Sequence, residues 1–150
     1  MRSLISLALV LAGCLLGPAH AADLPYFSVL SDDAGAWPEI LSSVGLQRQP
    51  AGLARVFVAR TGAAASVEWN GRVEKGDILI LEGESSLADM FGFRRGKENV
   101  LVHSLTDVHR PELSIVWEKG LELPVFELPA GAQVFARERW TGAPMTAGMR

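Results

Sequence analysis

Glu82 and Glu84 stand two residues apart, directly after an apolar run. Two carboxylates so placed could act as general acid and general base, one protonated and one ionised, as glycosidases use them. The same pair could instead cap the next helix, whose N-terminal dipole favours negative charge. His103, Asp107 and His109 form a His-x3-Asp-x-His pattern of one strand parity, so three metal ligands could share a face. Metal binding needs convergence at about 2.0–2.2 Å, whereas an extended strand rising about 3.3 Å per residue would spread these side chains over roughly 20 Å. Without a turn they form a polar loop leading to Pro111, and no metal is expected. Trp37, Trp69, Trp117 and Trp140 could stack on sugar rings, although tryptophans scattered through a small domain serve mainly as packing. The chain has no phosphate loop, no Gly-x-Gly-x-x-Gly and no Gly-x-Ser-x-Gly, so no cofactor is expected.

Composition narrows the field. The 150 residues carry 14 Lys+Arg against 17 Asp+Glu, a net charge of −3, so no basic field exists to hold nucleic acid. Hydrophobic residues make up 49% and charged residues 21%, which excludes a disordered chain and a coiled coil. A single cysteine, Cys14, excludes a disulfide framework and a zinc site of paired thiolates.

The first 21 residues read as an export signal. Met1-Arg2 supplies the positive start, and residues 4–16 form an apolar run shorter than the about 20 residues a membrane-spanning helix needs. Ala19-His20-Ala21 has the small-x-small form of a signal-peptidase site, which predicts a soluble product starting at Ala22. Leu11-Ala12-Gly13-Cys14 resembles a bacterial lipobox and offers a second route, in which a lipidated Cys14 anchors the protein to a membrane. Both routes place the chain outside the cytoplasm, in the periplasm or beyond it. Cleavage at Ala21 leaves no cysteine, which suits an oxidising compartment.

The elements that must position these groups follow from periodicity. Strands are predicted over residues 26–30, 55–59, 77–81 and 99–103, with helices opening at Trp37, Ala63 and Ser86 between them. This alternation predicts a single three-layer α/β domain over residues 22–150, with a mainly parallel sheet and helices on both faces. Asp77-Ile78-Leu79-Ile80-Leu81, unbroken and bounded by glycines, is expected at the sheet centre with Ile78, Leu79 and Ile80 buried. After Asp107 the strands follow one another without helices, at residues 113–117, 124–128 and 133–138, and predict antiparallel hairpins on the C-terminal edge. Arg94-Arg95 and Lys97 are expected on a solvated turn. Met145 to Met149 reads as another strand, and Arg150 follows it at once. The expectation is a truncated sheet whose chain continues into a further strand. In a parallel sheet, ligands bind at the carboxyl ends of strands. The candidate cleft is therefore Asp32, Asp33, Arg60, Glu82, Glu84, His103 and Asp107.

The run Asp77-Ile78-Leu79-Ile80-Leu81 with its glycine turn and helix, together with Val134-Phe135-Ala136-Arg137 and Thr141-Gly142-Ala143-Pro144, resembles the class I glutamine amidotransferase-like fold. The resemblance is to its non-catalytic branches, accessory domains of secreted or carbohydrate-active proteins. Active members carry a cysteine in a sharp turn after the fourth strand. Here that stretch is Val102-His103-Ser104-Leu105-Thr106, with no cysteine and no flanking glycine. Glu82-Gly83-Glu84 replaces the glycine pair usual after the third strand, so glutaminase chemistry is not expected. The resemblance implies an accessory or interaction domain, with a carbohydrate or a downstream carbohydrate-active domain as partner. The competing expectation is a hydrolase acting on sugar through Glu82 and Glu84.

Overall fold

The computed structural model describes residues 26–149. The export signal, Cys14 and the Ala21–Ala22 boundary lie outside the described residues. The chain divides into two units, Met1–Leu87 and Ala88–Arg150.

In the first unit, β1 (Phe27–Val29), β2 (Val56–Ala59) and β3 (Ile78–Leu81) form a parallel sheet in the order β1-β2-β3. Helix α1 (Trp37–Ser43) follows β1, and α2 (Glu68–Glu74) follows β2. Pro38 starts α1, where a missing amide costs nothing. Gly45 ends it at φ 94°, which an L side chain would strain against. Leu41 from this helix joins Phe27, Val56 and Val58 in the core. Helix α2 starts later than Ala63 because the preceding backbone is tied elsewhere. The Ala63 carbonyl accepts the Leu87 amide and the Ser86 hydroxyl, and the Ala65 amide donates to that same hydroxyl.

The sheet is centred on β2, and this corrects the expectation for residues 77–81. Val56, Phe57, Val58 and Ala59 are all at most 4% exposed, because β2 has a neighbour on each side. An unbroken apolar run marks a fully covered strand only when both edges are paired. Among the described residues β3 pairs with β2 alone, and Ile78 is 45% exposed while Leu79 and Ile80 are half-buried.

The boundary between the units falls within α3 (Ser86–Met90). The second unit is an antiparallel sheet of β4 (Arg94–Asp107), β5 (Ser114–Glu127), β6 (Gln133–Glu138) and β7 (Pro144–Gly148), in the order β5-β4-β6-β7. Residues 99–103, expected as a fourth parallel strand, lie inside β4. Their burial alternates: Val100 and Val102 are 8% and 0% exposed, while Leu101 between them is 56% exposed. That is the period-two pattern of a sheet covered on one face. Arg94, Arg95 and Lys97 belong to β4 rather than to a turn, and β5 runs through residues 118–123, which separate two expected strands. The three-layer α/β expectation is thereby overturned. Strands account for 41% of the structure and helices for 15%, arranged as a small parallel sheet and a curled antiparallel half-barrel sheet. Two register shifts between β4 and β5 accompany the curl. Close approach there favours glycine: a Cβ on Gly96 would lie 2.9 Å from the Val125 carbonyl oxygen, and one on Gly120 would lie 2.7 Å from His103.

Candidate functional site

The carboxyl ends of the three parallel strands are joined by one guanidinium. Asp33 follows β1, Arg60 follows β2 and Glu82 follows β3. Arg60 Nε donates to Glu82 Oε2 at 2.6 Å, and Nη2 reaches Oε1 at 3.4 Å. On the other side, Arg60 Nη1 meets Asp33 Oδ2 at 2.6 Å and donates to the Asp33 carbonyl at 3.2 Å. The indole of Trp37, at the start of α1, adds a second donor to Glu82 Oε2 at 2.6 Å. Beneath them the Arg60 amide donates to the Ser31 hydroxyl at 3.2 Å. The Gly35 amide, followed by the Arg60 guanidinium, holds the Asp33 carboxyl below its usual range. The hydrogen bond to Glu82 raises Arg60 further above its ordinary value.

Exposed ion pairs contribute little to stability, so the effect of this cluster is positional. Parallel strand ends lack hairpins to hold them together, and Arg60 supplies a polar tie across all three. Its nitrogens and the Oε2 atom of Glu82 are engaged within the cluster. Gly35 shows how closely the parts fit. At φ 55° it occupies left-handed backbone, and a Cβ there would lie 2.9 Å from the Arg60 guanidinium. Gly35→Ala is expected to cost about 1–2 kcal/mol in backbone strain alone and to displace Arg60. Loss of the Trp37 fluorescence change between wild type and Glu82→Gln would report the displacement.

The structure thus brings together Asp33, Arg60 and Glu82, with Trp37. It leaves Asp32 exposed outside the cluster, and Glu84 is exposed with its carbonyl accepting the Gly62 amide at 3.0 Å. His103 and Asp107 lie on β4 in the other unit. His103 packs over Gly120, and Asp107 Oδ1 accepts the amides of His109 and Arg110 at 2.7 and 2.9 Å. Among the described residues no three His, Cys, Asp or Glu side chains group as a metal site, and no helix is long and apolar enough to cross a membrane. Residues 102–106 lie within β4 rather than at a strand-to-helix turn, and Ser104 is fully buried there.

Sequence reading missed a second cluster, at the β6–β7 turn. Glu138, 2% exposed, accepts the Trp140 amide (2.8 Å), the Thr141 amide (2.6 Å) and the Thr141 hydroxyl (2.8 Å) on a single oxygen, Oε2. Burial alone would raise its pKa. The amide and hydroxyl of Thr141 and the amides of Trp140 and Arg139 outweigh burial and hold it below the usual carboxylate range. The turn so fixed displays Trp140, which is 68% exposed, whereas Trp69 is 6% exposed and Trp37 and Trp117 are half-buried. Arg139 lies 5.6 Å from the Trp140 ring centre and also lines a groove of about 540 Å³ with Asp107, Glu112 and Arg137. The available signal was an acid three residues before Thr141-Gly142, the spacing at which a side chain can cap a turn. A second groove of about 410 Å³, in the first unit, is lined by Arg55, Arg72, Lys75 and Asp77. Asp77 accepts from both arginines there, at 2.5 and 2.9 Å. Comparison of the chain with protein families, curated proteins and solved structures found no match.

Proposed function

We propose that the chain is an exported, non-catalytic interaction domain, accessory to a carbohydrate-active partner. The observation that supports this reading is the state of Glu82. Its Oε2 accepts both Arg60 and Trp37, and Glu84, the other half of the candidate acid–base pair, is exposed. A general acid must present a proton to a leaving group and a general base must reach a water. Glu82 instead serves as the acceptor that completes a structural tie.

Two measurements test the proposal. Incubated with a panel of polysaccharides and aryl glycosides, the purified protein is expected to release no sugar, with Glu82→Gln and Glu84→Gln indistinguishable from wild type. Release that either substitution abolishes would establish the hydrolase instead. For export, mass spectrometry of the mature N-terminus is expected to find Ala22 or a lipidated Cys14. An intact Met1 would remove the basis for an extracytoplasmic role.

A further inference from the structure

We propose that the groove beside the β6–β7 turn binds a neutral carbohydrate, with Trp140 as the stacking platform. This rests on reading the chain as a binding domain and names its ligand class. An indole left 68% exposed is of no use to the core, and yet its position is strongly determined. A carboxylate is costly to bury unless it is fully hydrogen-bonded. Glu138 Oε2 takes three donors, all from Trp140 and Thr141 at the tip of the turn. Further bonds brace the same turn: Gly142 donates its amide to the Glu138 carbonyl at 3.0 Å, and Arg137 Nη1 donates to the Gly142 carbonyl at 2.8 Å. The result is a rigid mount for an aromatic ring in solvent, which lowers the entropy cost of binding.

The lining of the groove selects the ligand. Asp107, Glu112, Arg137 and Arg139 line a volume of about 540 Å³, within the range of small-ligand clefts, about 300–1,000 Å³. An anion would meet the two carboxylates and a cation the two guanidiniums, and an apolar molecule would offer none of the four a hydrogen bond. A sugar hydroxyl both donates and accepts, so a neutral polyol satisfies both kinds of group. The capacity remains for it. Asp107 holds the turn amides through Oδ1, Glu112 holds Arg110 through Oε1, and Arg137 holds Gly142 through Nη1. The Arg139 guanidinium has no carboxylate partner among the described residues. Trp140 is not itself a lining residue of the groove; Arg139, which lines it and lies 5.6 Å from the indole ring centre, joins the two, so a further pyranose of a bound oligosaccharide lays its apolar C–H face on the indole beside the groove.

The test titrates the full chain with cellohexaose, xylohexaose, mannohexaose and chitohexaose, and with hexagalacturonate as the anionic control, by calorimetry and tryptophan fluorescence. At least one neutral hexaose is expected to bind, and Trp140→Ala to weaken it about tenfold or more (about 1.4 kcal/mol) without moving the melting midpoint. Arg139→Ala should weaken it as well. The proposal is overturned if no neutral hexaose binds at about 10 mM, if hexagalacturonate alone binds, or if Trp140→Ala leaves the affinity unchanged. Shorter sugars released from a bound hexaose would overturn the non-catalytic reading and leave the groove standing. Absence of binding without any release would do the reverse.

Discussion

Glu138→Ala is expected to destabilise the antiparallel sheet by about 2–4 kcal/mol, because it removes a charged acceptor and strands three donors at once. Urea unfolding measures the loss, and faster deuterium exchange of the Trp140 and Thr141 amides locates it. Glu138→Gln keeps an oxygen acceptor without the charge and should recover part of the difference. The pH dependence gives an independent check. The folded-state pKa of Glu138 is depressed below its ordinary 4.5. Its contribution is therefore fully present above the unfolded pKa and is lost as pH falls through the lower, folded value. The stability difference between wild type and Glu138→Gln should stay constant above pH about 5 and shrink below about 4.5. A difference unchanged down to about pH 2.5 would mean that the carboxylate charge plays no part in holding the turn. Asp33 and Glu112 also have depressed values, but they are common to both proteins and drop out of the difference.

Phe57→Ala is expected to have the largest effect in the parallel unit, about 3–5 kcal/mol. Phe57 is 0% exposed, stands edge-on to Trp69 at 5.1 Å between ring centres, and has the Arg72 guanidinium 4.0 Å from its own ring centre. Truncation leaves a cavity under both partners and removes the cation–π contact that helps position Arg72 for Asp77. Leu79 is the register neighbour of Phe57 on β3, and there the same truncation should cost clearly less. Ile78→Ala should cost under about 1 kcal/mol, because the side chain is already 45% exposed. Chemical denaturation of the three variants in parallel decides the matter. Equal losses at Phe57 and Leu79 would place the centre of the sheet on β3 after all.

The separation between these two positions shows where sequence reading stops. Residues 56–59 and 78–81 are both short, β-rich and unbroken, and periodicity cannot rank them. Only the number of hydrogen-bonded neighbours does so, and those neighbours come from distant parts of the chain. The same limit explains β4. Val100-Leu101-Val102 reads as a continuous apolar run, yet antiparallel pairing with β5 makes it part of a sheet covered on one face, where the alternation of side chains leaves Leu101 outward. The charges of Arg94, Arg95 and Lys97 suggested a turn because local composition does not reveal that a long strand, paired there with β5, can leave such side chains in water.

Local features were legible in the residues alone. Pro38 and Gly45 bound α1, alternating turns and apolar runs place β1, β2, β3 and β6, and residues 145–149 are strand as expected except at the last. The strand ends were legible too, and with them the grouping of Asp33, Arg60 and Glu82, since any parallel sheet collects its carboxyl ends on one side. Tertiary structure decided the rest. It joined those three groups into one closed tie instead of an open acid–base pair. It also buried Glu138 under a turn that leaves Trp140 in solvent, because the burial of a side chain depends on what packs around it.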